Sequence, residues 1–254
     1  MRAKKTYCLF FTQKTSPPAP HCNCKPLRLD INERTKDMTI AAIIVAAGRG
    51  TRAGSTLPKQ WHPLLGRRVI DWTLDAFQHH PNIDKICVVL HPDDIETADL
   101  RDVLIAEGGS TRDASVKNGL DALAHDAPDH VLIHDAARAT INDTVISDVI
   151  RALATHDASA PALPVTDALL TGENGLVTGT HDRTGLFRAQ TPQGFVFDKI
   201  LYAHQANSEP AADDVEIARR AGMDVAITQG CESNLKVTYP EDFARAEAIL
   251  RSRQ

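Results

Sequence analysis

Three cations beside closely spaced glycines are the residues of this chain best suited to chemistry. Gly48-Arg49-Gly50-Thr51-Arg52 is followed by Pro58-Lys59-Gln60. Backbone at glycine can approach a ligand closely, and exposed N–H groups together with fixed positive charge form a site for phosphates. The glycine loop alone leaves the identity of the phosphate ligand open. Gly48, Gly50 and Gly54 are spaced GxGxxxG, one residue off the dinucleotide fingerprint. The second apolar run ends at His91-Pro92, without the acidic residue that would hold a ribose. No Gly-Lys-Ser/Thr follows, so a Walker loop does not fit either.

Positioning such a loop falls to the elements around it. Ala41 to Val45 is an unbroken apolar run, β-branched at Ile43, Ile44 and Val45, as in a strand buried on both faces of a parallel sheet. Apolar spacing at Val69, Ile70, Leu74 and Phe77 predicts a helix over 69–79, and 85–90 reads as the next buried strand. A helix over 93–105 is expected next. A further helix follows, outlined by Ser115, Val116, Leu120 and Leu123, with Ser110, Thr111 and Asp113 as cap candidates. Strands over 131–134 and 159–165 flank a helix over 143–155, capped by Asn142 or Asp143. Two more helices (198–205, 213–221), a strand (224–228) and a last helix started by Pro240 complete the series. This alternation implies βαβ units and an α/β fold with a mostly parallel twisted sheet flanked by helices. In such sheets ligands gather at the C-terminal strand ends, where the loops 47–59, 108–112 and 135–138 fall. The rhythm changes at 167–190, where Gly172-Glu173-Asn174-Gly175 between apolar pairs predicts a hairpin arm outside the main sheet.

Composition narrows the function classes. Net charge is −5, yet residues 1–37 hold eight Lys and Arg against three Asp and Glu, which leaves −10 for the remainder. An acidic body argues against nucleic acid as a partner and for cations dedicated to a small anionic ligand. No apolar run approaches the roughly 20 residues of a membrane span. Cys8, Cys22 and Cys24 precede residue 38, leaving Cys87 and Cys231 in the domain. Reduced thiols and a cytoplasmic protein are the reading. Residues 1–37 lack periodicity and read as a disordered N-terminal extension, with the domain at 38–254.

Taken with Pro58-Lys59-Gln60, the segments AAGRGTR, GGSTRDASV, HDAAR, DRTGLFRAQTPQGF and NLKVTYPEDF stand in an order similar to the 2-C-methyl-D-erythritol 4-phosphate cytidylyltransferase family. They span about 40–250. The resemblance implies a Rossmann-like nucleotidyltransferase fold with a protruding β-arm. It also implies transfer of CMP from CTP to methylerythritol phosphate, a step of the non-mevalonate isoprenoid pathway. Arg52, Lys59, Arg183 and Lys236 fall on its catalytic positions. Ala46, Ala47, Gly48, Arg49, Gly50, Gly109 and Ser115 fall on its nucleotide positions, and Asp135, Arg138 and Thr191 on those for the second substrate. Mg2+ held mainly by the CTP phosphates, and a homodimer formed through the arm, are further implications.

Two alternatives remain open on the residues: a cytidylyltransferase for another polyol phosphate such as ribitol 5-phosphate, and a non-catalytic nucleotide-binding scaffold on the same fold. Ser110, Ala139, Ala168 and Ala212 depart from the family's usual pattern: Ser110 at a nucleotide contact, Ala139 at the turn after HDAAR, and Ala168 and Ala212 at polyol phosphate contacts. His134 reads as structural, His79-His80 as a solvated helix end, and Trp61 and Trp72 as core or dimer contacts.

Overall fold

Long runs of aliphatic residues form the centre of an eight-stranded sheet because only a strand covered on both faces can bury every residue of such a run. The computed structural model describes residues 38–50 and 57–253. The expectations for residues 1–37 and for Arg52 lie outside them. Strand β1 (Ile40–Ala46) is central, paired in parallel with β4 (Lys85–Leu90) on one side and β6 (His130–Asp135) on the other. Between β1 and β4 lie a small ribbon, β2 (Pro63–Leu64) with β3 (Arg67–Arg68), and helix α1 (Val69–Gln78).

Alternation along β1 assigns its neighbours. Ile40, Ala42, Ile44 and Ala46 face α1 and α3 (Asp143–Ala152), whereas Ala41 and Ile43 face α2 (Arg112–Leu123), α4 (Phe197–Ala206) and α5 (Asp214–Arg220). Two layers of helices thus cover one sheet, and α6 (Pro240–Arg251) closes a third, smaller cluster with Leu64, Ala137 and Val237. The caps follow sequence chemistry: Thr111 Oγ1 accepts from Ala114 N, and Asn142 Oδ1 from Val145 N. Pro240 opens α6, where its missing N–H has no cost.

The far side of the sheet is mixed. β7 (Ala158–Pro164) runs parallel to β6, but β11 (Gln193–Val196) is inserted antiparallel between them. β10 (Phe187–Ala189) continues that antiparallel edge, and β12 (Val225–Gln229) pairs with β7 in parallel. β11 carries no apolar alternation. Its Gly194 is required because an added Cβ would lie 2.7 Å from Val149 Cγ1 on α3.

Two expectations are corrected. Residues 93–105 form no helix: a 3-10 turn (Pro92–Asp94) leads into bends and then β5 (Leu104–Glu107), the edge strand beside β4. Asp99 and Asp102 take φ of 41° and 56°, which a right-handed helix cannot contain. His80 is buried rather than solvated, and its Nε2 is 3.0 Å from Ser147 Oγ.

The arm is narrower than the expected 167–190, because Phe187–Ala189 pair with β7 in the main sheet. It is a separate two-stranded sheet, β8 (Leu169–Glu173) and β9 (Leu176–His181), turned through Asn174 and Gly175, both at positive φ. Leu170, Leu176 and Val177 stay 61–73% exposed.

Candidate active site

The site is built where β1 ends. Gln60, itself buried, donates through Nε2 to Ala46 O (2.7 Å) and Gly48 O (3.1 Å), tying the start of the glycine loop to the turn that carries Lys59. Gly50 has φ +60°, a backbone conformation that favours glycine and forms the turn. Lys59 Nζ donates to Val237 O at 2.8 Å. Arg49 turns the other way, donating to Asp94 Oδ1 at 3.0 Å and meeting His91 and Asp93. Trp61 Nε1 donates to the other oxygen of Asp94 at 2.9 Å, so one carboxylate braces loop and turn. Trp61 packs against the core and under Arg68, and Trp72 donates to Leu64 O, in line with structural roles.

A second wall comes from the start of α2. Ser115 Oγ accepts from Gly109 N (3.0 Å) and donates to Thr111 O (2.8 Å), which presses the loop against the first helical turn. A Cβ on Gly109 would lie 2.5 Å from Ala114 Cβ, so only glycine permits that approach. The free N–H groups of this turn favour anions.

The third wall is an ionic cluster at the end of β6. Lys236 Nζ is 2.9 Å from Asp135 Oδ2, and Arg112 Nε and Arg138 Nε each lie 3.6 Å from an Asp135 oxygen. Arg138 Nη1 donates to Asn234 O at 2.7 Å. Burial alone would raise the Asp135 pKa, but Lys236, Arg112 and Arg138 outweigh it and hold the carboxyl well below the usual range. A depressed pKa contributes stability that is present above the ordinary value of about 3.9 and is lost as pH falls below it. Asp135→Ala removes the carboxylate that faces Lys236 and Arg138, while Arg112 keeps Asp214, and is expected to cost about 3 kcal/mol, at the low end for a broken buried pair because Lys236 is partly solvated. Urea denaturation checks this: a loss under about 1 kcal/mol would show that solvent carries the charges.

Behind this cluster, Thr191 Oγ1 accepts from Asp135 N (3.2 Å) and sits 3.1 Å from His134 Nδ1. His134 is fully buried against Phe77, and burial lowers its pKa to about 3, so the ring is neutral at working pH. That agrees with a structural role.

These walls enclose a cavity of about 480 Å³. Every residue expected at the nucleotide lines it (Ala46, Ala47, Gly48, Arg49, Gly50, Gly109 and Ser115), as do Lys59, Asp135 and Lys236. Arg138 and Thr191 stand behind Asp135 and hold it in place. Arg183 is not on this wall; it lies exposed at the returning end of the arm and donates to Thr166 O. Sequence reasoning misses Arg112 and Gln60, both of which line the cavity. Their signal is position: Arg112 sits inside GGSTRDASV and Gln60 inside PKQ.

A glycine loop set at the strand ends of a mostly parallel sheet, with cations on opposite walls, makes this cavity a site for a phosphate-bearing ligand. The family profile of 2-C-methyl-D-erythritol 4-phosphate cytidylyltransferase (IspD) matches residues 40–252. Proteins of that name from Cereibacter sphaeroides and Roseobacter denitrificans are 56% and 57% identical, over 84% and 85% of this chain and 97% and 99% of theirs. The crystal structure of the Thermus thermophilus protein superposes with a TM-score of 0.71 at 30% identity, over 82% of this chain and 98% of that one. The chain belongs to the 2-C-methyl-D-erythritol 4-phosphate cytidylyltransferase family.

Proposed function

We propose that the cavity binds CTP and 2-C-methyl-D-erythritol 4-phosphate and joins them, releasing pyrophosphate and forming 4-diphosphocytidyl-2-C-methyl-D-erythritol. The observation that carries this reading is the meeting, in one cavity, of the glycine loop with Lys59 and the Asp135–Lys236 pair. Within family membership, these two walls suit the two substrates: the loop takes the triphosphate, and the ionic cluster takes the polyol phosphate.

A phosphate oxygen of the polyol substrate attacks the α-phosphorus of CTP, a new P–O bond forms, and the bond to the β-phosphate oxygen breaks. With a second pKa near 6, the nucleophile is mostly a dianion at neutral pH and needs no general base. A neutral, buried His134 fits that chemistry. The barrier lies in bringing anion to anion, which positioning and fixed cations reduce. Lys59 and, outside the described residues, Arg52 serve the transferring phosphate; Arg183 and Lys236 steer the attacking one. Asp135 accepts from a substrate hydroxyl, with Arg138 and Thr191 holding it.

Mg2+ would supply charge neutralisation along the triphosphate. Asp135 is committed to cations, and no cluster of three His, Cys, Asp or Glu suited to a metal occurs among the described residues. Such an ion would be held mainly by phosphate oxygens and water. The remaining assignments are a homodimer through the arm, a dispensable extension at 1–37, and a cytoplasmic location suited to charged substrates. No described helix is long and apolar enough to cross a membrane.

Pyrophosphate release tests the reading: methylerythritol phosphate with CTP is expected to exceed ATP, GTP and UTP, and to exceed ribitol 5-phosphate with CTP. A preference for ribitol 5-phosphate, or CTP binding without turnover, would overturn it.

A further inference from the structure

Arg112 is the first residue of α2, and its guanidinium lies between two carboxylates from other elements. Nη1 is 2.8 Å from Asp214 Oδ2, and Nε is 3.6 Å from Asp135 Oδ1. The other oxygen of Asp214 is 3.2 Å from His204 Nε2. Asp214 and His204 side chains are 0% and 2% exposed, whereas Arg112 is 30% exposed and lines the cavity. A chain of three polar groups therefore runs from α4 through α5 to the cavity wall.

Packing does not account for it. Around His204 and Asp214, the same two helices place Phe197, Ile200, Ala203, Ile217 and Ala218 in the core. Apolar residues of similar volume would fill the space without the cost of desolvating charge. Capping does not account for it either, because Asp213 is the cap of α5, accepting from Glu216 N, and also takes Gln193 Nε2. What the buried pair does achieve is control of the guanidinium. With Nη1 in an ion pair with Asp214 at 2.8 Å, Arg112 stays 3.6 Å from Asp135, short of hydrogen-bonding distance. Released from Asp214, it would close on Asp135, compete with Lys236 and occupy the lone pairs that a substrate hydroxyl needs.

We propose that Asp214 and His204 are positioning residues that hold Arg112 at the cavity wall, and that Arg112 is a further binding residue for the polyol phosphate. The inference rests on the reaction proposed above. Its guanidinium edge supplies planar donors to a phosphate or hydroxyl beside Asp135 and Lys236, for which a lysine would be a poor substitute.

Steady-state pyrophosphate release tests the inference, with each substrate varied in turn. Arg112→Gln is expected to raise KM for the polyol phosphate at least tenfold and leave KM for CTP within twofold. His204→Leu, which removes the ring nitrogen 3.2 Å from Asp214, is expected to raise the same KM at least threefold, and His204→Gln, which keeps a polar N–H on that side chain, to return it toward the wild-type value. In the Arg112→Gln background, Asp214→Asn is expected to add less than twofold, because it acts through the arginine. If Arg112→Gln leaves both KM values within twofold, or if the His204 variants lower Tm without moving KM, the inference is overturned. Should Asp214→Asn fail to fold, the Arg112 and His204 variants decide alone. Wild-type protein that turns over neither substrate removes the functional reading and the inference with it; wild-type turnover without the KM pattern removes the inference alone.

Discussion

Lys59→Ala is expected to lower kcat by about 10²–10³, the usual cost of removing one preorganised donor from a transferring phosphoryl group, while the protein stays folded. In the resting structure Lys59 Nζ donates to Val237 O, and losing that bond from a charged donor costs roughly 1.5–3 kcal/mol. Lys59 is only partly buried, and that exposure reduces the loss further. The turn itself is held by other bonds, Trp61 N to Pro58 O and Gln60 Nε2 to the glycine loop, which the substitution leaves in place. Rate and fold should therefore separate. Single-turnover pyrophosphate release beside a thermal melt measures both, and a rate loss no greater than the stability loss predicts would remove lysine from the chemistry.

A mixed dimer of one Arg183→Ala chain and one Lys59→Ala chain is expected to recover about half the wild-type rate, because a twofold arrangement leaves one of its two sites wholly intact. The basis is the arm. Leu170, Leu176 and Val177 are exposed on a two-stranded sheet that contributes nothing to the three core clusters of its own chain. A lone hairpin is marginal in water unless it packs on something, and an exposed apolar patch of this kind marks an interaction surface. Arg183, at the arm's returning end, is off the cavity wall of its own chain. If it completes the partner's cavity, one pocket of the mixed dimer carries both lesions and the other carries none. Two affinity tags isolate the hetero pair. Activity that stays at the parental level places Arg183 in cis, and a monomer in sedimentation ends the proposal sooner.

Much of the site is legible in the amino-acid sequence because its parts are local. An unbroken run such as Ile43-Ile44-Val45 demands burial on both faces, which makes β1 a central parallel strand and places the glycine loop at a strand end. Thr111 and Asn142 announce helix starts through their own hydroxyl and amide, and Asn174-Gly175 announces the hairpin through the φ values it tolerates. The expected nucleotide residues come together in one cavity for the same reason: each lies at a strand or helix end.

Contacts between distant segments carried no such signal, and tertiary structure alone decided them. Residues 93–105 show apolar spacing that a helix could use, yet Cys87 to Leu90 pairs with Leu104 to Glu107 and pulls the segment out as an edge strand. β11 has too little apolar surface to declare itself; it exists because β6 and β7 offer unpaired backbone on either side. His80 is buried, and its Nε2 meets Ser147 on α3, a partner far along the chain. Arg112 looks like an ordinary first-turn residue until α4 and α5 deliver His204 and Asp214 behind it. In each case the deciding term is desolvation or pairing by a partner far along the chain. Local periodicity reports how one element is buried; which charge or backbone edge meets it is decided only when the sheet closes.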